Sequence, residues 1–493
     1  MNRILVVLLL TSCEQSNHHQ PPIVFAEIAS SIAPTVCGAE DPTQIIEVNG
    51  TGLALFDFDN DDDLDLFVVN SSNEPCRLYE NISDDSIAFK DVTETKGINL
   101  RRWANGVAIG DVNGDGFDDV YITCHGPNVL LINRGGKDFE DVTDSAGVGD
   151  THWGTSARFG DLDGDGDLDL YVCNYLEYDF DNPPPKAKYK GQDVLGGPHG
   201  MRPQGDVVFE NLGDVVFQNV TQQWGFVNDP AFSLNAAILD FNEDGLQDVF
   251  VGNDSMENQL YLNTGEIPTR FENMGVYSGV ATNGDGSMQA TMGIAVADVC
   301  GNNRPDIFTT NFSSDTNTLH VNDFSGYFDD RTKQYGLGLI SRSLLGWSCA
   351  FHDFDLDGDE DLFIVNGHVY PNATMDTMDS TRKQSVLLLQ RDGDRFVQVE
   401  QEGQYRDRAA VFGDLDNDGD TDVIVAQRSG EVRVLQNDST LGFLQSIQLQ
   451  GKAGNPKALG TKIVATFNDG TTATRWNTDG FGFQSSTSVT GHN

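Results

Sequence analysis

Residues 161–169 read Asp-Leu-Asp-Gly-Asp-Gly-Asp-Leu-Asp. The pattern is Asp-x-Asp/Asn-x-Asp-Gly-x-x-Asp followed by an apolar residue, and it recurs along the chain. The copies are DFDNDDDLD from Asp57, DVNGDGFDD from Asp111, DLDGDGDLD from Asp161 and DFNEDGLQD from Asp240. A weaker copy, DVCGNNRPD, starts at Asp298, and two strong ones follow, DFDLDGDED from Asp353 and DLDNDGDTD from Asp414. Seven copies are separated by 54, 50, 79, 58, 55 and 61 residues, so only the third interval is long.

Each copy has the same surroundings. An apolar stretch with small residues leads in, such as Gly52-Leu53-Ala54-Leu55-Phe56, and a β-branched run leads out, such as Leu66-Phe67-Val68-Val69. Both read as strands, which makes the acidic loop a hairpin connection. A third strand follows with a Leu-x-x-Asn signature, as in Leu78-Tyr79-Glu80-Asn81 and Leu130-Leu131-Ile132-Asn133. A fourth carries Phe-x-x-Val, as in Phe89-Lys90-Asp91-Val92. Four short strands per repeat of ~50–60 residues predict a propeller blade. One such sheet cannot bury both faces, whereas seven packed round an axis can. The predicted fold is all-β, a seven-bladed β-propeller; a parallel β-helix has a shorter repeat. Ile23-Val24-Phe25-Ala26-Glu27-Ile28 matches the fourth-strand pattern but precedes any first strand. It is expected to form the outer strand of the last blade and close the ring.

The loops have the chemistry of a Ca²⁺ site. Ca²⁺ takes six to eight oxygen ligands. Alternate side chains at loop positions 1, 3 and 5 converge on one point, a carbonyl at position 7 and a carboxylate at position 9 complete the shell, and position 6 turns with positive φ. Position 6 is Gly116, Gly166, Gly245, Gly358 or Gly419 in five loops, and Asp62 or Asn303 in the others, residue types that tolerate that backbone. Two like charges 4 Å apart cost roughly 4 kcal/mol near a protein surface, so converging carboxylates call for protons or a cation. Mg²⁺ demands tighter octahedral geometry. The expected ligands are Asp57, Asp59, Asp61 and Asp65; Asp111, Asn113, Asp115 and Asp119; Asp161, Asp163, Asp165 and Asp169; Asp240, Asn242, Asp244 and Asp248; Asp353, Asp355, Asp357 and Asp361; and Asp414, Asp416, Asp418 and Asp422. The fifth loop offers Asp298, Asn302 and Asp306, with Cys300 at position 3, and is expected to be empty or weak. The chain should therefore hold about six to seven Ca²⁺ ions.

Composition agrees. The formal charge is -46, from 76 acidic and 30 basic residues. So acidic a surface repels phosphate backbones and excludes nucleic acid as an expected partner. At the N-terminus, Arg3 precedes a short apolar run, Ile4 to Leu10, which reads as an export signal rather than a membrane span. Leu10-Thr11-Ser12-Cys13 resembles a bacterial lipobox with Cys13 as the lipidated residue. Glu14 after it points to the outer membrane or cell surface, with the periplasm as the alternative. The expected division is a signal peptide at 1–12, a tether at 13–22, the propeller at 23–441 and a C-terminal β segment at 442–493. The membrane is expected as a partner only through the N-terminal lipid. Six further cysteines permit disulfides in an exported protein, and Cys37 with Cys76 and Cys124 with Cys173 are the first pairs to test.

The loops resemble the FG-GAP/VCBS repeats of integrin α-subunit propellers and of bacterial exported proteins, from about Gly52 to Asn437. Met292-Gly293-Ile294-Ala295-Val296, Thr309-Thr310-Asn311-Phe312 and Asn366-Gly367-His368-Val369-Tyr370-Pro371 are similar to the cartilage-acidic-protein/UnbV group. Ala458-Leu459-Gly460-Thr461-Lys462-Ile463 and Gly480-Phe481-Gly482-Phe483-Gln484-Ser485-Ser486 resemble the start of that group's ASPIC/UnbV segment, here short or truncated. The resemblance implies a fold, an extracytoplasmic location and calcium binding, without an established enzymatic activity.

The long third interval carries an insertion, about Tyr175 to Gln204, with Pro183-Pro184-Pro185 and several lysines. It reads as a loop, and long loops on rigid scaffolds often carry function. His125, Asn174, Tyr175 and His368 follow second strands and are the candidate ligand-face residues. Trp103, Trp153 and Trp347 precede first strands, where packing between blades is expected. No GxSxG, HExxH or phosphate loop appears, and the carboxylates outside the loops form no acid/base constellation. The expected function is a non-catalytic calcium-binding surface protein that binds a surface protein or a glycan. The alternative is a carbohydrate-active enzyme or lectin on the same ring, and a purely structural envelope component is the third reading.

Overall fold

The computed structural model describes residues 22–84, 86–226, 230–439, 447, 449–467, 470–480 and 482–488. The signal segment and Cys13 lie outside them. The described residues form seven four-stranded antiparallel sheets arranged as a β-propeller. Blade 1 shows the pattern: Leu53–Phe56, Asp65–Val68, Arg77–Asn81 and Phe89–Asp91, from axis to rim. The next six sheets start at Ala104–Gly110, Gly154–Gly160, Ser233–Leu239, Ile294–Ala297, Gly346–His352 and Asp407–Gly413. Phe25–Ile28 runs antiparallel to Val432–Asn437 and supplies the fourth strand of blade 7, so the ends of the ring are joined by a strand, as expected.

The apolar cores lie between blades rather than within them. Phe56 and Phe67 of blade 1 pack with Val107, Ile109 and Ile122 of blade 2. Leu55 and Leu66 on the other side pack with Val411 and Ile424 of blade 7. Alternate residues of one strand therefore face two different neighbours. This explains why first strands are buried throughout instead of alternating apolar and polar. It also explains the cysteines, all six of which are free thiols. Cys37 is buried beside the Ile46 carbonyl, Cys76 and Cys124 sit between blades 1 and 2, and Cys173 sits between blades 3 and 4. Cys124 and Cys173 are thus held apart in separate packing layers, and the expected Cys37–Cys76 bridge is likewise not formed.

A hydrogen-bonded latch joins consecutive blades. The side-chain amide of Asn133 at the end of a third strand donates to the Asp118 carbonyl of its own loop, at 3.2 Å, and to the Phe58 carbonyl of the preceding blade, at 2.8 Å. Asn211 reaches Val112, Asn263 reaches Leu162, Asn322 reaches Phe241 and Asn437 reaches Phe354 in the same way. Asn81 reaches Leu415 of blade 7 and closes the circle. Blade 6 has Arg391 at this position, and its guanidinium reaches Val299 at 3.2 Å.

The C-terminal segment is part of the ring's interior. A hairpin, Lys462–Thr466 with Thr472–Trp476, lies on the face that carries the acidic loops. The chain then enters the axial channel. Ser486–Thr487 pairs in parallel with Ala54-Leu55 of blade 1. Arg158 of blade 3 donates to the carbonyls of Ser485 at 2.8 Å and Gly482 at 2.9 Å. Phe483 is fully buried against Trp347, with ring centroids 5.0 Å apart. Gly52 is required by this approach, because a Cβ there would stand 1.9 Å from the Gln484 carbonyl oxygen.

Asn133→Ala should leave the Phe58 and Asp118 carbonyls without this donor, at a cost of about 1–3 kcal/mol for each left unpaired. The urea midpoint should fall with the slope unchanged. An unaltered midpoint would show that the latch contributes nothing.

Candidate metal centre

The seven loops share one backbone. Position 6 has positive φ in every copy, from 64° at Asn303 to 103° at Gly166, as the residue types imply. Position 4 does so too, at Asn60, Gly114, Gly164, Glu243, Gly301, Leu356 and Asn417. The sequence pattern does not announce that second left-handed residue, because Glu243 and Leu356 are not residues that favour it. Position 1 organises the turn. In six loops its two carboxylate oxygens accept the backbone N–H groups of positions 5 and 6, as Asp111 does from Asp115 at 3.1 Å and Gly116 at 2.7 Å. Asp57, Asp240, Asp298, Asp353 and Asp414 repeat this.

Position 9 is a staple as well as an expected ligand. Asp119 accepts the Val112 N–H at 3.1 Å and the Asn133 N–H at 2.8 Å, tying its loop to the third strand. Asp65, Asp169, Asp248, Asp361 and Asp422 make the same two bonds. Asp306 differs in taking its first bond from Cys300, one residue further on. All seven are at most 1% exposed.

Four loops bring three carboxylates within 4.8 Å of one another: Asp57, Asp59 and Asp61; Asp161, Asp163 and Asp165; Asp353, Asp355 and Asp357; and Asp414, Asp416 and Asp422. Each of these four also contains a buried carboxylate oxygen without a hydrogen-bond partner, on Asp59, Asp161, Asp355 or Asp416. Orphaned oxygens facing like charges are what a hard cation satisfies, so these donor sets fit Ca²⁺. The loops with asparagine at position 3 differ. Asn113 donates to Asp115 at 3.2 Å and Asn242 donates to Asp244 at 3.0 Å, a cross-link between two expected ligands. In the fifth loop Asp298, Cys300 and Asp306 come within 4.8 Å, while Asn302 turns its amide to the Asn322 carbonyl.

Burial and mutual repulsion make these carboxyls weaker acids. Burial, aided by neighbouring carboxylates, pushes Asp65 up to about 8, Asp361 to about 9 and Asp422 to about 7. Asp163 and Asp357 rise to about 6 for the same first reason.

The candidate ligand-face residues sit beneath the insertion. His125 Nε2 lies 3.1 Å from the Tyr178 carbonyl. Asn174 donates to Asp150 at 2.8 Å and to the Gly205 carbonyl at 3.0 Å. The Tyr175 hydroxyl donates to Asp254 at 2.6 Å. His368 Nε2 meets Ser313 Oγ at 3.0 Å, its Nδ1 accepts the Tyr370 N–H, and burial pushes its pKa down to about 3. Asn174, Tyr175 and His368 are at most 2% exposed. The insertion spans the face opposite the acidic loops. Lys190 reaches the Met378 carbonyl and Asp379 of blade 6, both at 2.9 Å, and Tyr189 packs on Phe312 and Tyr370. Trp153 is buried beneath it, and Trp347 lies at the axis under the Arg408 guanidinium.

This geometry defines a class, a seven-bladed β-propeller whose blades are stapled by acidic hairpin loops. A model described as an FG-GAP-like repeat matches residues 57–122, 111–172 and 240–309. These FG-GAP-like repeats and the seven blades support an FG-GAP-type propeller protein. No curated protein matches it. Among solved structures, an Agrocybe aegerita lectin that recognises non-reducing terminal N-acetylglucosamine is 14% identical, with 87% of this chain and 95% of that one covered and a TM-score of 0.41. BBS1N, solved in complex with ARL6DN, is 8% identical over 80% and 96% of the two chains, with a TM-score of 0.43. The V. cholerae biofilm matrix protein Bap1 is 9% identical over 93% and 100%, with a TM-score of 0.37.

Metal-stripped protein should be less stable at pH 8 than at pH 5. A carboxyl whose folded pKa is raised binds its proton more tightly in the folded state, so its contribution is present at low pH and is lost as pH rises through the folded value, here between about 4 and 9. Adding Ca²⁺ should raise the melting temperature, and more at pH 8 than at pH 5. Scanning calorimetry on the stripped and reloaded protein checks both, and a melt indifferent to Ca²⁺ would remove the stabilising role of the loops.

Proposed function

We propose that the protein is a non-catalytic, calcium-stapled binding module displayed at the bacterial surface, with a surface protein or glycan as ligand. The observation that carries this reading is the division of the ring. One face bears the acidic loops with their orphaned oxygens, the axis is filled by the chain's own residues, and the opposite face is covered by an insertion. Ca²⁺ would be held by the position 1, 3 and 5 side chains in blades 1, 3 and 6 and by those of positions 1, 3 and 9 in blade 7, and would supply the positive charge that lets those carboxylates stay ionised. The finer family assignment goes with this reading: a cartilage-acidic-protein/UnbV-like chain, exported and anchored through Cys13. Among the described residues no helix is long and apolar enough to cross a membrane.

Recognition then belongs to the exposed side of the insertion. Phe180 is 41% exposed, and further along the insertion Lys186 and Lys188 are exposed in a strongly acidic protein, Lys188 paired with Asp193 at 2.6 Å. An insertion that exposes both an apolar ring and ammonium groups suits an acidic protein segment or an anionic glycan. The calcium-loaded chain should capture such a ligand from glycan and surface-protein arrays. Phe180→Ala with Lys186→Glu should weaken capture at least ten-fold without moving the melting temperature. Equal capture by the variant would place recognition elsewhere, and shortening of a captured polysaccharide would support a carbohydrate-active enzyme instead.

A further inference from the structure

The C-terminal segment does not merely rest on the acidic-loop face; it grips the loops one after another. Lys457 pairs with Asp118 at 2.7 Å, Lys462 with Glu243 at 3.2 Å, and Arg475 with Glu360 at 2.6 Å. Asp118 and Glu360 stand at loop position 8 in blades 2 and 6, and Glu243 at position 4 in blade 4. In the fifth loop Lys462 donates to the Asn303 carbonyl, and Thr474 Oγ1 donates to the Asn303 side-chain oxygen at 2.7 Å. In the third loop Gly454 is so close that a Cβ would stand 2.0 Å from Asp167 Oδ1. Every one of these contacts falls at position 4, 6, 7 or 8. None uses the side chains of positions 1, 3 and 5, which turn inward as metal ligands.

The same short backbone thus fixes two sets of groups. Its inner side chains would surround a cation and its outer ones hold the arm. Asp118 is only 2% exposed and Glu360 only 10% in their side chains, so each would be a poorly hydrated, unpaired charge if the arm left. Beyond the hairpin the arm continues to Asp479, buried near Arg158, and into the channel, where Phe483 and Gln484 are fully buried.

We propose that the arm, residues 449–488, is a metal-linked axial plug: cation binding in the loops and seating of the arm in the channel stabilise each other. The proposal rests on the calcium reading above. Without a cation the three converging carboxylates of the third and sixth loops repel and those two turns open. Their outer groups then lose the spacing that matches Gly454 and Arg475, and the arm keeps only its contacts through Lys457, Lys462 and Thr474. Linkage is reciprocal, so releasing the arm must weaken metal binding by the same factor. The fifth loop, poor in charged ligands, gives both oxygens of Asn303 to the arm and serves as a docking point.

The test uses the full-length chain, with calcium content measured first. Chymotrypsin cleavage after Trp476, read by intact mass, is timed in Ca²⁺ and after stripping, at a temperature where circular dichroism shows the ring folded in both. Cleavage should speed up by about five-fold or more on stripping. The variant Lys457→Ala, Lys462→Ala, Arg475→Ala should be cleaved quickly even in Ca²⁺. Its calcium affinity, by chelator competition, should be weaker by about five-fold or more. Cleavage indifferent to Ca²⁺, or a variant with wild-type calcium affinity, overturns the linkage and leaves the calcium reading standing. Wild-type protein that takes up no Ca²⁺ overturns both.

Discussion

One asparagine at the end of the third strand, in every blade but the sixth where Arg391 takes its place, holds two blades in register. Its amide bridges the carbonyl of its own acidic loop and a carbonyl in the loop before it, and its backbone N–H is held by the position 9 aspartate. Because each bond set links one blade to the previous one, the latch is cyclic: Asn81 binds blade 7. A propeller blade buries both faces against neighbours and has no core of its own, so its orientation must be set from outside. The latch does this at the loop face, where the strands diverge. The strand Phe25–Ile28 does it at the rim.

The acidic loops then have two jobs that use different atoms. Positions 1 and 9 are largely committed to backbone N–H groups and make the turn. The remaining lone pairs, with the orphaned oxygens of Asp59, Asp161, Asp355 and Asp416, face a common point. A polypeptide cannot supply enough N–H groups to neutralise such a point within nine residues. A divalent cation can, and the repeated pattern offers such an ion a matching donor set. Where asparagine replaces aspartate at position 3, an amide donor takes up part of that demand. Where Cys300 stands there, the loop is tied down by the arm instead.

The centre and the far face are filled by segments that lie outside the repeats. Phe483, Gln484 and Ser486 occupy the axis, held by Arg158 and by the first strands of blades 1 and 2. The insertion extends from blade 3 to blade 6 on the opposite side. Polar groups at the inner ends of the blades that would otherwise meet water are thus covered by protein. His125, Tyr175 and His368 are among the groups so covered.

Much of this was legible in the chain itself. The seven-fold Asp pattern, its flanking apolar runs and the stray Ile23–Ile28 strand determined the blade count, the hairpin position of the loops, the positive φ at position 6 and the closure of the ring. Those features are local or strictly periodic, so spacing alone reveals them. The Leu-x-x-Asn signature was visible too, but its meaning was not. Its partner lies in another blade, about 75 residues back for Asn133 and Phe58, and only packing brings them together. The left-handed residues at Glu243 and Leu356, the separation of the cysteines into different layers and the burial of the candidate ligand residues were likewise decided by tertiary structure. So was the path of the described residues between 449 and 488. Nothing in their composition points to a channel. Their place follows from ion pairs with the loops of three blades and close or hydrogen-bonded contacts with those of two more, a surface that exists only once the ring has closed.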